Sequence, residues 1–121
     1  MHKKVYIIAE VGVNHNGKLQ NCFKLIEAAA GAGCDCVKFQ FFKANRLYSP
    51  LSGKLKWRTK NDTFSYDIYE AARTVQMPDA WVRPLMGCCR AHKIECLFSV
   101  FDSRSLAFLL RQRCKKINLP S

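Results

Sequence analysis

The chain has 121 residues, 49% of them hydrophobic and 24% charged, which describes one globular domain with a real core and excludes a disordered tail. A formal net charge of +11 points to anionic company, either nucleic acid or small anions drawn in by the field. The apolar runs fall far short of the roughly 20 residues a membrane span needs, and the short stretch Val5–Ala9, cut off by Glu10, lacks the form of a secretory signal, so a cytoplasmic setting with no membrane contact is expected.

Val5 to Val11 reads as a first strand. From Leu19 the apolar residues recur at helical steps, as Leu19, Cys22, Phe23, Ile26 and Ala30, until Gly31 and Gly33 supply a stop. Cys36 to Phe42 is a second strand, apolar except for Lys38 and Gln40, as suits a parallel sheet covered on both faces. Residues 43–64 are polar and basic, contain Pro50 and Gly53, and read as a long loop of the functional or mobile kind. A helical pattern with Tyr66, Tyr69, Ala72 and Val75 fills residues 65–76. Pro78-Asp79 opens another helix reaching about His92, with Pro84 expected to bend it or split off its first turn. Leu97 to Phe101 is a third strand, followed by a helix capped by Asp102 or Ser103, and Ile117 to Pro120 begins a fourth strand. Alternation of strand and helix predicts an α/β fold with parallel strands.

The cysteines, at 22, 34, 36, 88, 89, 96 and 114, are odd in number and include no Cys-x-x-Cys pair. Reduced thiols acting as small hydrophobes are expected, with zinc or redox chemistry as the alternative. Two basic clusters stand out, Lys54, Lys56, Arg58 and Lys60, and Arg111, Arg113, Lys115 and Lys116. No recognition motif accompanies them, so a solvated surface is preferred to a nucleic-acid site.

Polar residues gather where each strand ends: Glu10 on the first, Lys38 and Gln40 on the second, Ser99 and Asp102 on the third, Asn118 and Ser121 on the fourth. Ligands of parallel α/β folds bind at the carboxyl ends of strands, which gives the placement a physical reason. Lys38 and Gln40 are two apart and share a face. Blander roles stand beside these: Glu10 and Lys38 as a structural ion pair, Ser99 as a turn residue, Asp102 as a helix cap, and His15 as a surface loop residue.

Three stretches, "IIAEVGVNHNG" (7–17), "CVKFQFFKA" (36–44) and "FSVFDSRSLAFL" (98–109), resemble in order and spacing the N-terminal part of the sialic acid synthase family. That family comprises the N-acetylneuraminate, legionaminate and pseudaminate synthases, and the likeness runs from about Val5 to Ser121. It implies that residues 1–121 are about the first half of a TIM (β/α)8 barrel, without its C-terminal half or the antifreeze-like domain. It further implies condensation of phosphoenolpyruvate with an open-chain N-acetylated amino sugar such as N-acetylmannosamine: the enol carbon attacks the aldehyde, water adds at the adjacent carbon, and phosphate leaves. By motif position Glu10 would hold the sugar, Lys38 the phosphoenolpyruvate, with Gln40 lining the same wall. Ser99 would give it a hydroxyl contact, and Ser121 is the serine of a shared motif. The resemblance also implies a divalent metal, Mn²⁺ or Mg²⁺, whose ligands lie on later strands, a homodimer for the whole enzyme, and no activity for this stretch alone. Two positions depart from the family pattern. Asn118 stands where a lysine is usual, and Val100 where proline is common. Lys116, one pleat deeper than Asn118, either substitutes at longer reach or leaves the substrate anion one cation short. The other functions open to such a chain are a half-barrel interaction module and a different phosphoenolpyruvate-dependent aldol-type synthase.

Overall fold

The computed structural model describes residues 4–120. Its elements in chain order are β1 (Ile8–Gly12), α1 (Leu19–Gly31), β2 (Cys36–Phe41), α2 (Ala44–Leu47), β3 (Lys54–Arg58), β4 (Thr63–Asp67), α3 (Ile68–Val75), a 3₁₀ turn (Asp79–Trp81), α4 (Val82–Ala91), β5 (Glu95–Val100), α5 (Ser103–Arg111) and β6 (Ile117–Asn118). Four strands form one parallel sheet in the order β1-β2-β5-β6, and β3 pairs with β4 as a separate antiparallel hairpin. The expected α/β architecture is present, with the outer edges of β1 and β6 unpaired among the described residues.

Register fixes which side chains share a face. Val37, Phe39 and Phe41 on β2 lie beside Cys96, Phe98 and Val100 on β5. All but Cys96 are buried, and they pack with Cys22 and Ile26 of α1, Leu85 and Cys89 of α4, and Leu109 of α5 in one core. Phe39 stacks on Phe98 at 5.7 Å between ring centroids, and Phe41 on Phe108 at 5.5 Å. The helices therefore cover one face of the sheet, and the polar strand-end residues occupy the other.

Local chemistry explains the helix boundaries. Asp67 caps α3 by accepting from the Glu70 N–H at 2.9 Å, and Asp102 caps α5 by accepting from the Ser105 N–H at 2.9 Å, the blander of its two expected roles. Arg46 on α2 reaches the same cap, 3.2 Å from Asp102 Oδ1 and donating to Ser105 Oγ at 3.1 Å, so a helix after β2 is tied to one after β5. Partial burial pushes the Asp102 carboxyl upward, but the bonds from Ser105 and the Arg46 charge outweigh it and leave the group below the usual range. Pro84 does split off a first turn: the 3₁₀ turn ends at Trp81, and Pro84 falls in the first turn of α4, where its missing N–H has no helical partner to lose.

Residues 43–64 correct the sequence-based expectation. The segment is not one long loop but α2 followed by the hairpin, and α3 starts at Ile68 because residues 65–67 belong to β4. Thr59 closes the hairpin loop, its N–H donating to the Asp62 carbonyl at 2.7 Å and its hydroxyl accepting from the Asp62 N–H at 3.0 Å. Both strands are mostly exposed, so their polar residues give no sign of a buried face. The first strand is also shorter than expected, beginning at Ile8. The seven cysteines are free, four of them buried, as expected for small hydrophobes.

Candidate active site at the strand ends

The face away from the helices carries two rows at the carboxyl ends. Glu10 lies beside Lys38 and Lys38 beside Leu97, then Gln40 beside Ser99 and Ser99 beside Asn118. In a parallel sheet registered neighbours point to the same side. Lys38 Nζ sits 2.7 Å from Glu10 Oε2, and Asn118 Nδ2 donates to Ser99 Oγ at 2.9 Å. The sheet thus brings together Glu10, Lys38, Gln40, Ser99 and Asn118. Ser121 lies outside the described residues.

Glu10 and Lys38 do pair, as the blander reading of them expects. Their side chains are 51% and 26% exposed, and an ion pair that open contributes about 0–1 kcal/mol. The pair therefore does little for stability and leaves both charges within reach of solvent. Gly12 makes room for the Glu10 side chain: with φ at 55° it lies where β1 breaks register, and a Cβ there would stand 3.0 Å from Glu10 Oε1. The carboxylate rests over bare backbone.

Lys116 does not reach this site. It is 3.0 Å from Glu95 Oε2 and donates to the Tyr6 hydroxyl at 3.3 Å, while that hydroxyl donates to Glu95 at 2.7 Å. Glu95 opens β5, so the group belongs to the amino-terminal end of the strands, opposite the mouth. The Tyr6 hydrogen bond, with Lys116, holds the Glu95 carboxyl below its usual range, and Glu95 and Tyr6 raise the Lys116 ammonium. Of the two alternatives for Lys116, substitution at longer reach is the one the geometry removes.

His15 is buried rather than a surface residue. Its Nδ1 accepts from the Gly17 N–H at 3.0 Å, which places the proton of the neutral ring on Nε2. Nε2 has no hydrogen-bond partner, and the ring meets Trp81 edge-on at 5.4 Å. Histidine here braces the turn after β1, and its signal in the sequence is the Gly17 that must follow at φ 74°, packed against the Thr74 carbonyl. Burial lowers its pKa from the ordinary 6.5. The unfolded chain therefore binds a proton the folded chain refuses, and stability should fall as pH drops below the unfolded value toward the folded one. Urea melts from about pH 7 to pH 5 should show that slope flattened in His15→Gln; an equal slope in both chains would remove His15 as its source.

The two basic clusters do not merge. The first sits on the hairpin beyond the carboxyl end of β2, and the second between α5 and β6, at the amino end of the strands. No helix among the described residues is long and apolar enough to cross a membrane. No group of three His, Cys, Asp or Glu among them could hold a metal ion, and the carboxylates at the strand ends are engaged, Glu10 by Lys38 and Asp102 by Ser105 and Arg46.

A family model described as the NeuB family matches residues 25–121. The chain belongs to the NeuB family. Among relatives, the spore coat polysaccharide biosynthesis protein SpsE of Bacillus subtilis is 42% identical over 105 residues, covering 87% of this chain and 27% of its own length. The N,N'-diacetyllegionaminic acid synthase of Legionella pneumophila is 35% identical over 116 residues, covering 96% of this chain and 33% of its own length. The crystal structure of the N-acetylneuraminic acid synthetase of Leptospira borgpetersenii, in complex with citrate, superposes with a TM-score of 0.79 at 20% identity, over 95% of this chain and 35% of that one. This last likeness concerns the fold, and four parallel strands are half the complement of the expected (β/α)8 barrel. The NeuB-family chain thus spans about a quarter to a third of the length of these curated relatives.

Proposed function

We propose that this chain supplies the donor-binding half of a sialic-type acid synthase, which condenses phosphoenolpyruvate with an N-acetylated amino sugar. The supporting observation is Lys38, a cation on the inner face of β2, held by Glu10 at 2.7 Å and followed on the same face by Gln40. An anionic donor meets that ammonium directly, because a charge-assisted hydrogen bond to a carboxylate or phosphate is about twice as strong as a neutral one. Gln40 and Ser99 offer an amide and a hydroxyl one row nearer the mouth, with the Ser99 oxygen oriented by Asn118. Glu10 accepts from a sugar hydroxyl once the donor has taken Lys38. Ser121 is assigned to the same site by its motif alone.

A divalent ion would polarise the sugar aldehyde in the complete enzyme. The described residues offer no set of ligands for one, so none of the steps assigned to this chain passes through a metal. Enclosure by later strands would exclude water and strengthen each polar contact. Homodimer formation and a cytoplasmic setting remain part of the proposal for the complete protein.

The test joins this chain at Pro120 to the remaining portion of the SpsE relative and follows phosphate release from phosphoenolpyruvate with a panel of N-acetyl sugars. Release that requires both substrates is expected. A folded chimaera that binds phosphoenolpyruvate yet releases no phosphate with any sugar would overturn the reaction.

A further inference from the structure

The two helices α2 and α3 share a cavity of about 290 Å³, many times the roughly 30 Å³ share of a water molecule. None of Glu10, Lys38, Gln40, Ser99 or Asn118 lines it, so it stands apart from the strand-end site. Its lining holds three cations, Lys43, Arg46 and Arg73, and no carboxylate.

Each cation is held by a carboxylate that lies outside the lining. Lys43 Nζ is 2.7 Å from Asp79 Oδ1, donates to the Met77 carbonyl at 2.8 Å and sits 5.0 Å from the centre of the Phe41 ring, so it offers charge more than free N–H groups. Arg46 spends Nε on Asp102 and Nη2 on Ser105, which leaves Nη1 without a partner among the described residues. Arg73 spends Nη1 on Glu70, at 3.2 and 3.4 Å, which leaves its Nε and Nη2 in the same state. Gln76 Oε1 accepts from the Ala44 N–H at 2.8 Å, so its amide N–H groups remain to donate, and the Tyr69 hydroxyl lines the same space. The Lys43 and Arg46 side chains are only 20% and 29% exposed, so water screens their charges less than it would on an open surface. Guanidinium forks fixed from one side, with N–H groups to spare on the other, match the oxygens of a phosphate.

We propose that this cavity binds a phosphate group, carried by inorganic phosphate or by a phosphomonoester, at a site separate from the Lys38 row. Arg46 and Arg73 are its receptors, Lys43 adds charge, and Gln76 and Tyr69 donate to the remaining oxygens. Because Arg46 belongs to α2 and Arg73 to α3, the occupant bridges the two helices. The site stands whether or not the synthase function does.

The test titrates the isotope-labelled chain with inorganic phosphate and, separately, with methyl phosphate, at constant ionic strength, and follows backbone amide shifts. Saturable shifts are expected in α2 and α3 at concentrations that leave the amides of Glu10 and Lys38 unmoved. Tighter binding of the free ion supports inorganic phosphate as the occupant, and equal or tighter binding of methyl phosphate supports a phosphomonoester. Arg73→Gln, a change at a half-exposed side chain, should weaken the tighter probe at least about fivefold. Lys54→Gln, which removes the same charge from the hairpin, should change it less than about twofold. Glu70→Gln releases Arg73 and should preserve or tighten binding. The site is overturned if neither probe gives saturable shifts, if Arg73→Gln costs no more affinity than Lys54→Gln, or if the shifts centre on Glu10 and Lys38 and vanish in Lys38→Met. Failure of the synthase function has a different mark: phosphoenolpyruvate leaves the Glu10 and Lys38 amides unmoved, or moves them equally in Lys38→Met.

Discussion

Replacing Lys38 with Met should weaken phosphoenolpyruvate binding by about tenfold to a hundredfold. A hydrogen bond to a charged group contributes about 1.5–3 kcal/mol, and each 1.4 kcal/mol is a factor of ten. The substitution also leaves the Glu10 carboxylate, now unpaired, facing the incoming anion, which adds repulsion. Glu10→Gln separates the donor-binding role from a structural ion pair. If Lys38 is an anion receptor, the glutamine variant frees it and binding stays the same or tightens, whereas the ion pair as a mere strut makes both variants equally inert toward ligand. Calorimetric titration of the three chains reads the difference. Equal affinity in all three would take Lys38 out of the site.

Phe98→Ala should be the most destabilising single change in the sheet, at about 3–5 kcal/mol. Phe98 is fully buried on β5, stacked on Phe39 at 5.7 Å and meeting Phe41 edge-on at 6.4 Å. The substitution removes aromatic contacts on both sides and leaves a void that strand hydrogen bonds keep from collapsing. Against a total stability of about 5–15 kcal/mol, such a loss lowers the melting temperature by tens of degrees or unfolds the chain. Phe101→Ala at the half-open mouth, where the ring is 36% exposed, should cost far less. Comparable denaturant midpoints for the two variants would contradict a core centred on Phe98.

Much of this was legible in the residues because burial writes itself as periodicity. The near-continuous apolar run of β2 announced a parallel strand covered on both faces; among the described residues helices cover one, and Lys38 and Gln40, two residues apart, share the other as the pleat requires. Asp102 was legible as a cap because its partner, Ser105, is three residues away. Partners distant in the chain were not legible. Lys116 was placed on the correct face, but Tyr6, 110 residues away, and Glu95 hold it at the wrong end. His15 was read as a surface residue because its neighbours are polar, and only Trp81, far along the chain, reveals that it is enclosed. The hairpin did leave a signal, since Leu55, Trp57, Phe64 and Tyr66 alternate with polar residues about the turn at 59–62. With both strands mostly exposed, that alternation was outweighed by the charge and by Pro50 and Gly53.

The pleat of β2 divides the strand's labour by parity: Phe39 and Phe41 pack, and Lys38 and Gln40 lie on the opposite face, the one proposed to meet substrate. Side-chain exchange on one surface therefore leaves the other nearly untouched, and the polar face can vary without dismantling the domain. Losing or gaining one residue inside the strand is a different matter, because a single-step slip exchanges the two surfaces at once. Lys38 would enter the aromatic layer as Phe39 swung into the mouth, ending packing and chemistry together. Descent of this strand is open to substitution and closed to changes of length.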